Sequence, residues 1–322
     1  MPRLALSPLF AWLFAIVAGV AGAQGDDPIV LDPHQVSAHV WFFQGDSNAA
    51  SARNKGFMSN AGFVVTSDAV VVFDALGTPP LGLAMIAAIR KVTPLPIRRV
   101  VVSHYHADHI YGLQALKGAG AEIWAYRKAE AYINSGQAVE RLAQRRAELS
   151  PWVDDKTHVV PPDVWLDGDT DFKQGGITFR VIYTGGAHSP EDIMMFVLPD
   201  RVLFAGDLIF AGRIPFVGNA DSKGWLGAMD RMLALDPAVV IPGHGPASHD
   251  VRRDLTLTRD YLLYLRATMG RAVHELEPFE DAYAKTDWSR FASLPAFAQA
   301  NRTNAYGTYL LLEQEELAAT PR

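Results

Sequence analysis

The sequence predicts an α/β fold made of two similar units, each running strands, then a helix, then a strand that ends in a loop rich in ligand-type residues. Three observations predict it. Short apolar, β-branched runs recur, divided by turn residues. A helix-spaced pattern follows each set of runs. Histidines and aspartates then fall where the apolar runs stop.

In the first unit, "HVWFFQG", "AGFVVTS" and "AVVVFDA" read as strands, with Ser67-Asp68 forming the hairpin turn between the last two. "PPLGLAMIAAIRKVT" has helical spacing and a proline start. It leads into Val100–Val102, a β-branched run that reads as a strand buried on both faces. In the second unit, "ITFRVIYTGG", "DIMMFVLP" and "RVLFAGD" are strands, with a turn at Pro199-Asp200. "SKGWLGAMDRMLAL" is the helix and "AVVIPGHG" the closing strand. The order repeats without sequence identity between the halves. Residues 127–165 and 250–322 carry mostly helical patterns. Both read as outer packing, with a cover over a site as the alternative for part of 127–165.

Composition bounds the function. The chain has 322 residues, a net charge of −6 and no run of basic residues, which argues against nucleic acid as a partner. It has no cysteine, so it forms no disulfide and carries no lipid-modified cysteine. Residues 1–23 read as a signal peptide: Arg3 precedes an apolar stretch from Leu9 to Ala23, and Ala21-Gly22-Ala23 is a small-x-small cleavage signal. That stretch is shorter than the roughly 20 residues that span a bilayer. The expectation is therefore export, cleavage before Gln24 and a periplasmic protein with no membrane attachment afterwards. Residues 24–322 would form one domain, with a helical C-terminal extension from about 270 to 322, acting on a small molecule.

The chemistry concentrates in "VVVSHYHADHIYG". His104, His106, Asp108 and His109 lie within six consecutive positions directly after a buried strand. A helix would send His104 and His106 to nearly opposite sides, and a strand would turn His109 away from the others. Only a turn leaving the strand end aims all four at one point, and strand ends are where α/β folds place their chemistry. Asp74 ends "VVVFD", His188 follows "YTGGA", Asp207 ends "VLFAGD" and His244 follows "VVIPG". Imidazoles and carboxylates without thiolates suit zinc, and also iron or manganese.

This ordered series, Asp, His-x-His-x-Asp-His, His, Asp, His, resembles the metallo-β-lactamase superfamily over roughly residues 35–265. The resemblance implies a four-layered αβ/βα sandwich with two zinc ions between the halves. His104, His106 and His188 would hold the first ion, and Asp108, His109 and His244 the second. Asp207 would bridge them, and Asp74 would support a ligand by hydrogen bonding. The implied activity is hydrolysis of a small ester, thioester, lactone or amide, β-lactams included, by a hydroxide the metals share, which Asp108 orients. An iron-dependent oxygenase of sulfur compounds and a non-catalytic metal-dependent binding protein are the alternatives.

In the branch of clinically familiar zinc β-lactamases the position of Asp207 carries cysteine, and that of His109 is not histidine. The departure resembles the general hydrolases. The signal segment and the "RIPF" loop are similar to exported relatives linked to sulfur-oxidation or quinoprotein systems. Ser189 is a candidate support for His188. Arg213 and Phe216 are candidates to line the substrate pocket, with structural pairing the alternative for Arg213. Tyr105 and Tyr111 either contact substrate or pack. His34, His39, His158, His249 and His274 match no motif position and read as surface or core residues.

Overall fold

Residues 28–319 are described in the computed structural model of the chain, and they build two sheets. The expected signal segment, residues 1–23, lies outside them. The first sheet has seven strands in chain order: β1 (His34–Gln35), β2 (Val40–Phe43), β3 (Ala61–Val65), β4 (Val70–Phe73), β5 (Ile97–Val101), β6 (Glu122–Tyr126) and β7 (Val164–Leu166). It is antiparallel as far as β4 and parallel from there on. The second sheet runs β12 (Val239–His244), β11 (Val202–Phe210), β10 (Ile193–Val197), β9 (Ile177–Tyr183) and β8 (Thr170–Gln174). Its β11–β12 pair is parallel and the others are antiparallel.

Helices α1 (Pro79–Val92), α2 (Ala107–Ile110), α3 (Leu113–Gly118), α4 (Ala129–Ile133) and α5 (Gly136–Leu149) belong to the first half. The second half has α6 (Ser222–Ala234), α7 (Val251–His274), α8 (Phe279–Lys285) and α9 (Phe297–Ala319). Three apolar clusters define the layers. Leu81, Met85 and Ile89 of α1 pack on Val70, Val72 and Val100 of the first sheet. Phe42, Val71 and Phe73 meet Phe179, Met195 and Phe204 between the sheets. Met194, Leu203 and Ala205 of the second sheet pack on Trp225, Leu262 and Leu265. Helix, sheet, sheet, helix: the fold is the four-layered sandwich. Each large apolar side chain withdrawn from water contributes roughly 1.5–3 kcal/mol.

Local chemistry explains the elements. Thr78 accepts a hydrogen bond from Leu81 N and prolines occupy the first turn of α1, where a missing N–H costs nothing. Asp221 caps α6 through Lys223 N and Gly224 N. β11 is buried along its whole length. It continues past the expected end, so Asp207 lies inside the strand and not at its end. β6, β7 and β8 are short strands that the sequence reading does not assign. β8 alternates exposed and half-buried residues at the sheet edge, joined to β9 by Gly175 and Gly176, both at positive φ.

The segment from 270 onward is an integral part of the outer layer. Met269, Ala305 and Tyr309 share one cluster with Leu208 and Ile209 of β11. It is no appendage.

Candidate metal centre

His104 and His106 sit in the turn between β5 and α2, His106 at the N-cap position, and Asp108 and His109 lie in the first turn of α2. His188 comes from the loop after β9, Asp207 from β11 and His244 from the end of β12. The structure brings all seven together in two sets: His104, His106, His188 and Asp207 in one, Asp108, His109 and His244 in the other.

Asp207 divides its carboxylate between them. Oδ2 lies 3.3 Å from His188 Nε2 and 3.8 Å from His104 Nε2. Oδ1 lies 3.1 Å from His109 Nε2 and 3.3 Å from His244 Nε2. Asp108 Oδ2 stands 3.6 Å from His109 Nε2 and 3.4 Å from His244 Nε2. His106 Nδ1 and His188 Nε2 converge at 2.8 Å. Gly243 makes room for this carboxylate, since a Cβ there would come within 2.0 Å of Asp207 Oδ1.

The faces turned away from the centre are held by the protein. Asp74, at φ +62, ends β4 in a conformation that non-glycine residues rarely adopt. Its carboxylate accepts from Ser103 N at 2.7 Å and Ser103 Oγ at 2.8 Å, and faces His109 Nδ1 at 2.9 Å. Ser103 Oγ also meets His104 Nδ1 at 2.9 Å, and His244 Nδ1 donates to the Met58 carbonyl at 2.7 Å. Such contacts fix the tautomer and aim the other ring nitrogen inward. The inward atoms His104 Nε2, His109 Nε2 and Asp207 Oδ1 are buried and have no hydrogen-bond partner. Buried polar atoms are otherwise almost always paired. Nitrogen and carboxylate donors orphaned at one point fit divalent metal ions.

Charge in the centre follows burial and neighbours. Burial disfavours the His109 cation, but Asp207, Asp108 and Asp74 outweigh it and raise the imidazole well above its usual range. Burial lowers His104 far below that range and takes His188 down to about 3. Burial opposes the Asp207 anion, yet His244 and His109 prevail and hold its carboxyl well below normal. Burial pushes Asp74 up.

A cavity of about 940 Å³ opens beside the centre, and His106, Asp108, His188, Asp207, Arg213 and Phe216 all line it. Phe216 presents its edge toward His106 and His188. Arg213 is buried, 3.4 Å from the Asn48 carbonyl, and no carboxylate pairs with it among the described residues. Its Nη1 points at His244 Nδ1 at 3.3 Å, a nitrogen that already donates to Met58 O, and its guanidinium lies over the Phe210 ring. Tyr105 packs as well. Its hydroxyl donates to Val160 O from a fully buried position that does not line the cavity, so the substrate-contact reading is corrected. Tyr111 is likewise fully buried. The Ser189 hydroxyl serves Asp192 at 2.7 Å and leaves His188 Nδ1 without a partner, so its expected support of His188 is absent.

Sequence reasoning missed two contributors. Ser103 adjoins His104, and its position beside the motif was the available signal. The Met58 carbonyl left no trace in residue type. α5 falls in the segment 127–165, for which a cover over a site was the alternative reading, and its charged face lines the cavity.

Residues 54–244 match the family model described as the metallo-beta-lactamase superfamily. A linear primary-alkylsulfatase of Pseudomonas sp. (strain ATCC 19151) is 24% identical over 217 residues, 56% of this chain and 41% of that protein. The chain thus spans about two fifths of that relative's length. A type 2 metallo-beta-lactamase of Bacillus sp. (strain 170) is 24% identical over 218 residues, 66% of this chain and 75% of its own. Among solved structures, a metallo-beta-lactamase from Pontibacter korlensis superposes with a TM-score of 0.56 at 23% identity, covering 72% of this chain and 99% of that one. A stereoselective inverting sec-alkylsulfatase from Pseudomonas sp. gives 0.68 at 18% identity, covering 91% and 52%. These structural likenesses carry the fold.

Proposed function

The chain belongs to the metallo-beta-lactamase superfamily, and from that premise we propose that it is a periplasmic hydrolase holding two zinc ions and cleaving a small ester, thioester, lactone or amide. The division of Asp207, one oxygen facing each set of ligands, carries the reading of two ions. His104, His106 and His188 would hold one and Asp108, His109 and His244 the other. Zinc held there would supply a water acidified toward a pKa of about 7 and a Lewis acid for the acyl oxygen.

The chain's own residues do the rest. Burial opposes the Asp108 anion, but His109 and His244 more than offset it, so the carboxyl stays below its usual range. Ionised and open to the cavity, it orients a water and accepts its proton. The water oxygen bonds to the acyl carbon, the bond to the leaving group breaks, and the proton passes to that group. Phe216 and the walls of the cavity screen the reacting carbon from bulk water.

The alkylsulfatase and type 2 metallo-beta-lactamase among the relatives bring sulfate esters and β-lactams into the same test. That test is metal quantification on purified protein followed by hydrolysis assays across ester, thioester, lactone, β-lactam and alkyl sulfate. Two zinc ions with turnover of a carbonyl substrate is the expected result. One ion at saturation, or iron with oxygen uptake, rejects the reading.

A further inference from the structure

The cavity beside the centre has one wall made by a helix that the metal ligands do not need. α5 turns Gln137, Arg141, Gln144, Arg145 and Glu148 into it, residues whose spacing places them on one helical face. A charged helix face usually points to water. Here the Arg145 side chain keeps only 17% of its exposure, and α5 packs near α2, which carries Asp108.

The charges on this face do not cancel. Glu148 accepts from Arg145 Nη1 at 2.8 Å and from Gln144 Nε2 at 2.7 Å. Arg141 donates to Gln144 Oε1 at 3.0 Å, and no carboxylate pairs with it among the described residues. This face thus carries two guanidiniums and one carboxylate, which pairs with Arg145 alone, and each guanidinium has donors to spare. Lys128, engaged with the Tyr183 hydroxyl at 2.7 Å, and Arg213 add two more cations to the same cavity. Of the acids nearby, Glu191 accepts from Tyr105 N at 3.2 Å and Asp221 caps α6. Ala49, Ala50, Ala131, Tyr132 and Phe216 supply apolar lining to the same cavity.

Building on the hydrolase reading, we infer that the substrate is two-ended: its scissile bond lies at the His/Asp centre while a remote anionic group, a carboxylate or a similar oxyanion, is held by Arg141 and Arg145. Paired guanidiniums take a planar oxyanion in bidentate fashion, and Arg145 has little water to lose. The surrounding alanines and aromatics accept an apolar spacer between the two ends.

Calorimetry on the zinc-loaded protein tests this without turnover. The probes are straight-chain dicarboxylates of four to ten carbons and the monocarboxylates of equal length. At one length or more, the dicarboxylate is expected to bind about tenfold more tightly than its monocarboxylate. In Arg141→Gln/Arg145→Gln, with zinc content and melting temperature checked, that advantage falls below about twofold while monocarboxylate binding stays unchanged. Equal binding of both series to the wild type overturns the inference, as does no dicarboxylate binding up to about 10 mM, a floor near 3 kcal/mol. So does a double variant that weakens both series alike. A dicarboxylate preference in a protein that hydrolyses no carbonyl compound leaves the subsite standing and removes the hydrolase reading instead.

Discussion

Asp74 Oδ2 stands 2.9 Å from His109 Nδ1, although the two residues are 35 positions apart. The contact fixes the His109 proton on Nδ1 and turns Nε2 toward Asp207 and Asp108. Asp74 also grips Ser103, whose hydroxyl meets His104 Nδ1, so one carboxylate supports a ligand in each set.

Asp74→Asn keeps an acceptor for Ser103 N but loses the anion facing His109. Zinc affinity is expected to fall about 10–100-fold, with the site of Asp108, His109 and His244 losing more. Ser103→Ala should shift the loss toward His104. Competitive chelator titration resolves the two sites, and equal losses at both in each variant would count against this division.

Asp207 is a different case, because it faces both sets directly. Asp207→Ala is expected to lower zinc from about two ions per chain to less than one, whereas His104→Ala and His109→Ala each empty mainly their own site. Metal content measured on dialysed protein checks it. Near-full occupancy in Asp207→Ala would remove the bridge.

Much of this was legible before any coordinates, and the reason is physical. Apolar runs such as "VVVFD" and "VVIPGH" are buried on both faces, so their limits show in composition, and ligands placed where they stop stand out. Tyr105 and Tyr111 were ambiguous because a tyrosine beside a motif packs as readily as it binds. The Met58 carbonyl was illegible, since backbone acceptors leave no residue signature. Strand β8, half polar at an edge, hid for want of an apolar run. The inward face of α5 was visible as spacing. Its direction was not, because a helix rich in arginine reads as solvated until something is packed opposite.

Metal-free protein should be most stable near neutrality. Burial, the largest influence on both, lowers His104 far below its unfolded value and His188 to about 3, so folding excludes their protons. Stability from these two is present above about pH 6.5 and is lost as pH falls toward 3. His109 runs the other way: burial lowers it, but Asp207, Asp108 and Asp74 raise it overall. Its contribution is full below about pH 6.5 and fades as pH climbs through the raised value. Melting temperature against pH in chelator should therefore fall on both sides. Zinc held as proposed would replace the His109 proton, so metal uptake is expected to release protons and flatten the alkaline limb. An alkaline limb that zinc leaves unchanged would show that His109 is not a ligand.

The C-terminal helix is expected to hold the cavity loop beside the centre, although it supplies no ligand. Asn304 of α9 accepts from Val217 N at 2.8 Å and Gly218 N at 3.2 Å, and donates to the Pro215 carbonyl at 2.7 Å. It thereby clamps the loop that carries Phe216 into the cavity. Gly307, one turn on, touches the same loop so closely that a Cβ would fall 1.7 Å from Gly218 O. Asn304→Ala leaves several buried backbone groups unpaired, each costing about 1–3 kcal/mol. A melting temperature lower by several degrees should follow, with zinc content retained because no ligand lies in this loop. Asn304→Asp keeps the acceptor for the two N–H groups but loses the donors to Pro215 O and Tyr261 Oη and buries a carboxylate against a carbonyl, so it should melt no higher than Asn304→Ala. Gly307→Ala forces the helix and loop apart at the backbone, so it should cost at least as much as Asn304→Ala. If both variants melted like the wild type, α9 would not hold this loop, and the loop would owe its position to β11 alone.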